Sequence, residues 1–155
     1  MGIEVYRMGI DSMSDLTLAA VPASLIELLW DDIAPFIDLV ADKAPDDIVT
    51  SKVKENCMLG SIMPVIVYRG SDIVAVNILD VKALDSGVKV LYIPIIGGTE
   101  FDNWSEDFMK LATQIAKDFG CSELRGMAVR KGWMTKLKPL GWEEMFTTVR
   151  CKIGD

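Results

Sequence analysis

The spacing of apolar positions changes period several times along this chain, and each change marks an element. Leu25, Ile26, Leu29, Trp30, Ile33, Ile37 and Val40 recur at three- and four-residue steps, which lays one apolar stripe along a helix. Pro22 stands at the helix start, where a missing N–H costs nothing, and Pro35 within the stripe predicts a kink or a division in two. Ahead of the helix, 16–21 reads as a first strand. Ala44-Pro45-Asp46-Asp47 predicts a second helix start, with two carboxylates placed to meet the helix dipole and an end near Leu59-Gly60. The period then falls to two. Residues 64–68, 73–83 and 88–96 read as strands, separated by turns at Gly70-Ser71-Asp72 and Asp85-Ser86-Gly87. They predict an antiparallel meander whose last strand is central and covered on both faces. Pro94 fits that strand only where pairing lapses, at a bulge or a splayed edge.

Helical spacing returns with Phe101, Trp104, Phe108, Leu111, Ala112, Ile115, Ala116 and Phe119, and Gly120 ends that helix. The chain closes with a short apolar strand at 124–129 and a tight helix bearing Trp133, Leu137 and Leu140 on one face. Gly141 is its stop before Trp142, and the alternating segment 143–153 reads as a last strand. The predicted order is strand, two or three helices, three antiparallel strands, long helix, strand, short helix, strand. Residues 1–15 are expected to form an N-terminal arm or edge strand, and 16–155 a single domain.

Composition narrows the function classes. Half of the 155 residues are hydrophobic and a quarter are charged, enough for a core that needs no disulfide or metal. The net charge of −7 sets the overall field against a general nucleic-acid surface. There is no histidine, which removes the commonest general base and any Ser-His or Cys-His nucleophile. The odd set Cys57, Cys121 and Cys151 suits buried thiols in a reducing compartment. The apolar run at 16–30 is cut by Pro22 and Glu27 and is too short to span a bilayer, and Glu4, Asp11 and Asp15 are the wrong charges for a signal peptide. A protein without membrane insertion, working inside the cell, is expected.

The element order, over roughly 16–153, resembles the GNAT superfamily of acyl-CoA N-acyltransferases. It is most similar to the small GNAT-like proteins of tailed bacteriophages. The motifs carrying the likeness are Trp30, Gly97-Gly98, Trp104, Gly126 with Arg130, Gly132-Trp133, Leu137 and Gly141-Trp142. Met127-Ala128-Val129 separates Gly126 from Arg130, a departure from the group's Gly-Arg dipeptide. The resemblance implies an α/β (α+β) fold: a mixed, mostly antiparallel sheet of about six strands flanked by helices, in the order β-α-α-β-β-β-α-β-α-β. It also implies an acetyl-CoA site, in which Ile95, Ile96, Gly97, Gly98 and Thr99 would hold the cofactor at a helix N-terminus. The family's turn begins with Arg or Gln and has a second, spaced glycine. Here both are missing, and Glu100 and Asp102 stand where phosphates would lie.

Single residues carry competing readings. Gly97-Gly98 serves as a sharp turn or a phosphate cradle. Asp80 and Glu100 are the general-base candidates, with surface solvation as the alternative. Tyr68 and Tyr92 read as core or edge residues rather than a general acid, since the tight helix that would carry one has no tyrosine. Cys121 reads as a buried small hydrophobe. Arg125, Arg130, Lys131, Lys136 and Lys138 form one basic cluster, a solvated face or, with Trp133, a partner-binding surface. From the altered phosphate turn and the missing histidine, the sequence suggests a non-catalytic phage protein. Its expected role is a virion or assembly component acting through contacts with other virion proteins, in the host cytoplasm and then the particle, with no cofactor. The alternatives are an acetyl-CoA-dependent N-acetyltransferase of a small amine or protein amine, and a regulatory module that binds a host protein.

Overall fold

The computed structural model describes residues 6–9, 15–127 and 132–154. Among the described residues six strands lie side by side in sequence order: β1 (Arg7–Gly9), β2 (Thr17–Ala20), β3 (Met63–Arg69), β4 (Asp72–Ala83), β5 (Lys89–Gly98) and β6 (Cys121–Gly126). Neighbours run antiparallel up to β5, and β5 pairs with β6 in parallel. That parallel step requires a crossover, which α3 (Phe101–Asp118) supplies. The fold is the mixed, mostly antiparallel α/β sheet that the resemblance implies, and β3–β5 form the antiparallel meander that the apolar pattern predicts.

Alternation along the strands divides the core in two. Leu18, Val65, Val67, Leu79, Leu91 and Ile93 pack beneath α3 with Trp104, Phe108, Leu111 and Ile115. Ala19, Ile66, Val76, Ile78 and Ile95 face the other way, against α1 (Ile26–Ala41) and α2 (Thr50–Leu59). Trp30, Ile33, Ile37 and Val40 are the buried stripe of α1, and Val53 and Cys57 that of α2. Burial pushes the Cys57 thiol up to about 12, so it packs as an apolar group. The chain then forms α4 (Trp133–Leu137) and a 3₁₀ turn at Lys138–Leu140, closed by Gly141 at φ 94°. Among the described residues, no helix is long and apolar enough to cross a membrane.

Three elements depart from expectation. Helix α1 continues through Pro35 without dividing. Pro35 and Asp31 are both exposed, so the Asp31 carbonyl that loses its helical donor can turn to water. Ala44-Pro45-Asp46-Asp47 forms turns rather than a helix start. Asp47 and Ile48 donate their amides to the Ala44 carbonyl at 3.1 and 2.9 Å, Ile48 drops into the core, and α2 begins at Thr50. The third concerns 143–153, which pairs with no strand among the described residues and leaves Phe146, Val149 and Ile153 77, 85 and 99% exposed. Alternation sets which side chains share a face and does not by itself supply the pairing that makes a strand, and the left-handed turn at Gly141 leads the chain into Trp142 at the end of β6. The sixth strand is instead β1, within the expected arm.

Candidate functional site

Pairing between β5 and β6 runs from Lys89↔Cys121 to Ile93↔Gly126, and there it stops while β5 continues to Gly98. Residues 94–98 therefore present an edge that β6 does not cover, and a notch opens between the two strands. Pro94 is the first residue past the last pair. It also falls where the β4–β5 register slips, since Ile78↔Ile95 is followed by Asp80↔Tyr92 and β5 carries the extra residue. A residue without an N–H suits both circumstances. On the other side of β5, Thr99 donates its amide to the Val74 carbonyl at 2.9 Å. Amides alternate along a strand, so those of Ile95 and Gly97 turn toward β4 with that of Thr99, and those of Ile96 and Gly98 turn toward the notch.

The strand then meets α3. Both glycines are needed for close approach. A Cβ on Gly97 would lie 3.1 Å from the Phe36 carbonyl oxygen and 3.1 Å from a Val40 methyl, where α1 presses on the sheet. One on Gly98, at φ 133°, would lie 2.4 Å from the Val74 oxygen. Glu100 takes the left-handed conformation at the head of α3, with φ 60°. Its carboxylate accepts two hydrogen bonds from the Arg69 guanidinium, at 2.9 and 3.1 Å, and one from Asn103 Nδ2 at 3.2 Å. The Arg69 bonds, then that of Asn103, hold this carboxyl below its ordinary range. Glu100 is thus an ion-pair partner of β3. It is neither an open base nor a bare charge set against a phosphate, which corrects the expectation from sequence. Asp102 stays exposed in the first turn of α3.

Aromatic rings join this helix head to α4. Phe101 meets Trp104 edge to face at 5.0 Å and Trp133 at 4.9 Å, and Trp104 donates its indole N–H to the Thr99 carbonyl at 2.8 Å. Lys136 reaches over the Phe101 ring with its ammonium 5.8 Å from the centroid. One cation of the basic cluster is therefore carried to the head of α3. Arg125 is taken up by Glu123 at 2.8 Å on β6, and Arg130 and Lys131 lie outside the described residues. Trp142 lies on Gly126 at the end of β6 and donates its indole N–H to Met109 Sδ at 3.2 Å.

A polar row crosses the sheet on the α1 side, one register step from the notch. Asp80 on β4 pairs in register with Tyr92 on β5, which pairs with Arg125 on β6, so the three side chains share a face. Lys82 lies 3.9 Å from the Asp80 carboxylate, with its ammonium 4.4 Å from the Tyr92 centroid. Burial raises the Asp80 carboxyl above its ordinary value, and Lys82 opposes the shift. Burial, then the nearby Asp80 and Asp47 carboxylates, raises the Tyr92 phenol. Tyr68 lines a separate groove of about 290 Å³ with Asp32, Leu25 and Leu29. Cys121 is half-buried, and burial lifts its thiol above the ordinary value despite Lys89.

Of the expected residues, Ile95, Ile96, Gly97 and Gly98 lie on the stretch of β5 that β6 leaves uncovered, Thr99 bonds Val74 on the β4 side, Asp80 stands in the adjoining row, and Glu100 turns toward Arg69. Sequence reading missed Arg69, which arrives from 31 positions away, and the Lys82–Tyr92 contact. The alternation of Asp80 and Lys82 on one strand was the available signal for the second; none marked the first.

No family model and no curated protein matches the sequence. Solved structures do match. One is an aminoglycoside acetyltransferase from an uncultured soil metagenomic sample, in complex with sisomicin, with TM-score 0.67 and 11% identity over 90% of this chain and 97% of that one. A second is the ribosomal-protein-alanine N-acetyltransferase of Brucella melitensis biovar Abortus 2308, with TM-score 0.66 and 11% identity over 90% and 99%. A third is a predicted acetyltransferase with acetyl-CoA from Clostridium acetobutylicum, with TM-score 0.64 and 12% identity over 88% and 96%. These neighbours are acetyltransferases, one of them solved with acetyl-CoA, and they overturn the expectation of a non-catalytic virion component in favour of its alternative. The physical reason is at hand, because the Glu100 charge counted against anion binding is matched by Arg69. At these identities the likeness is one of fold, and that fold is the GNAT fold.

Proposed function

We propose that this chain is an acetyl-CoA-dependent N-acetyltransferase acting on a small amine or a protein amine. The observation that carries the reading is the uncovered edge at residues 94–98 of β5, leading directly into the N-terminus of α3. First-turn amides of a helix have no intrahelical acceptor and carry the positive end of its dipole, so they suit a diphosphate. Lys136, held over Phe101, adds a cation at the same place. Backbone N–H groups on the open edge, Ile96 first, suit a thioester carbonyl and its tetrahedral oxyanion.

Acetyl-CoA supplies an activated acetyl group. The chain's own task is to position an uncharged amine and take its proton as nitrogen attacks the carbonyl carbon and the C–S bond breaks to release the thiol. Asp80 is the base this reading assigns. It lies two residues along β4 from the partner of Ile95, on the face shared with Tyr92, and burial raises its affinity for a proton. The likeness of the Gly132-Trp133 corner to the phage group points to an infected bacterium as its place of work.

Calorimetry with acetyl-CoA tests the cofactor, and thiol release on adding a panel of amines tests the reaction. Saturable binding with one site per chain is expected. Absence of binding at millimolar acetyl-CoA would sink the proposal.

A further inference from the structure

A second line of side chains runs from the 3₁₀ turn Ala23–Leu25 into α1, beside the buried stripe. Leu25, Leu29 and Asp32 follow at four- and three-residue steps, so they share a face, and they wall a groove of about 290 Å³ over β2 and β3. Ile66 and Tyr68, alternate residues of β3, line it from the sheet. Arg7 reaches it from β1, where it pairs in register with Ala19, a residue that faces α1. The groove stands apart from the notch, which opens between β5 and β6. Arg7 and Asp32 are the charged residues of its lining. Among the described residues neither of them enters an ion pair or a side-chain hydrogen bond, with each other or with another group. An apolar trough open to water therefore carries one unanswered cation and one unanswered anion.

We infer that this groove binds a free apolar amino acid, of the size of leucine, as its zwitterion. The carboxylate of the ligand takes the Arg7 guanidinium, whose forked donors match two carboxylate oxygens. Its ammonium takes the Asp32 carboxylate, and its side chain leaves water against Leu25, Leu29 and Ile66. Charge sets the other ligands aside. A fatty acid or another apolar anion answers Arg7 but brings its charge into a groove that holds Asp32, and an apolar amine does the reverse. The end of a peptide carries one of the two charges beside its side chain, and only a free amino acid carries both on the carbon that bears it. Size agrees, because ligand pockets run from about 300 to 1,000 Å³ and this one stands at the small end of that range. The inference is independent of the catalytic reading, since neither Arg7 nor Asp32 belongs to the notch or to the row that holds Asp80.

Titration calorimetry of the full chain with L-leucine should show one saturable site. L-leucinamide lacks the carboxylate and N-acetyl-L-leucine lacks the ammonium, so each should bind about 10-fold weaker or more, the loss of one charge-assisted contact. Arg7→Gln should leave leucine no tighter than leucinamide, and Asp32→Asn should leave it no tighter than N-acetyl-leucine. Both side chains are exposed, so the circular dichroism of the helices should stay unchanged in either variant. No saturation by about 10 mM leucine, or equal binding of the three compounds, overturns the inference. So does a preference for leucine that survives both substitutions, which is the mark of a site elsewhere on the chain. If a variant fails to fold, Arg7→Lys or Asp32→Glu replaces it. Each keeps the charge but moves it, and leucine binding that either one leaves unchanged overturns the inference as well.

Discussion

Replacing Gly98 by alanine tests what the glycine pair is for. The new Cβ would stand 2.4 Å from the Val74 oxygen, 2.5 Å from the Ala75 Cα and 2.7 Å from the Ala75 Cβ. Two of these atoms are backbone and none can swing aside, so β5 has to lift from β4 at the Ala75↔Gly98 pair. The φ of 133° adds strain, about 1–3 kcal/mol for a conformation that only glycine takes readily. Overpacking contributes about 1–3 kcal/mol more. The sum, about 4 kcal/mol at its centre, is a large part of the roughly 5–15 kcal/mol that holds a domain folded. At about 2–4 °C per kcal/mol for a chain of this size, melting should fall by about 8–16 °C. Gly97→Ala is the control. Its Cβ meets Phe36 O and a Val40 methyl at 3.1 Å in an ordinary backbone conformation, and a shift of α1 by a few tenths of an ångström relieves it at about 1–2 kcal/mol. Urea denaturation followed by tryptophan fluorescence measures both variants. A Gly98→Ala protein within 1 kcal/mol of the unaltered chain, or no weaker than Gly97→Ala, refutes the close-approach account.

Asp80→Asn should cut kcat by about 10²-fold or more with little change in KM for acetyl-CoA, and thiol-release kinetics across pH read it. Because burial raises the Asp80 carboxyl, its ionisation opposes folding, so the same variant should be no less stable than the unaltered chain near neutrality. Glu100 behaves oppositely. Its carboxyl is held below the ordinary 4.5 chiefly by Arg69, so its contribution is complete above that value and is lost as pH falls through the depressed one. The stability gap between the unaltered chain and Glu100→Gln, measured by urea titration, should therefore close in acid and not in base. Asp102→Asn removes a carboxylate from the first turn of α3; acetyl-CoA binding should tighten several-fold in calorimetry, while the helix loses about 0.3–1 kcal/mol of dipole compensation. Asn77 is 0% exposed, and among the described residues neither its amide nitrogen nor its oxygen has a partner. Asn77→Leu should stabilise the fold by about 1–3 kcal/mol in the same denaturation assay, and a loss of stability would show that the amide is satisfied.

Periodicity alone determined most of the architecture. The stripes of α1 and α3, the two-residue alternation of the meander and the glycine stops at Gly60, Gly120 and Gly141 are local signals, each set by which side chains must leave water together. Pro94 belongs with them, because a missing N–H constrains pairing wherever the strand lies, and the sequence placed it at a lapse before any partner was known. What stayed hidden depends on contacts between distant residues. Glu100 counted as a charge opposed to phosphate until the fold brought Arg69 to it. The closing segment counted as a strand because alternation describes a strand's faces and is silent about its partner. The glycine pair could be read as a turn or a cradle, and only the approach of Phe36 and Val74 decided that both positions have no room for a side chain. Sequence fixes which groups seek burial or pairing along one element; which group from elsewhere answers them is settled only when the sheet closes in three dimensions.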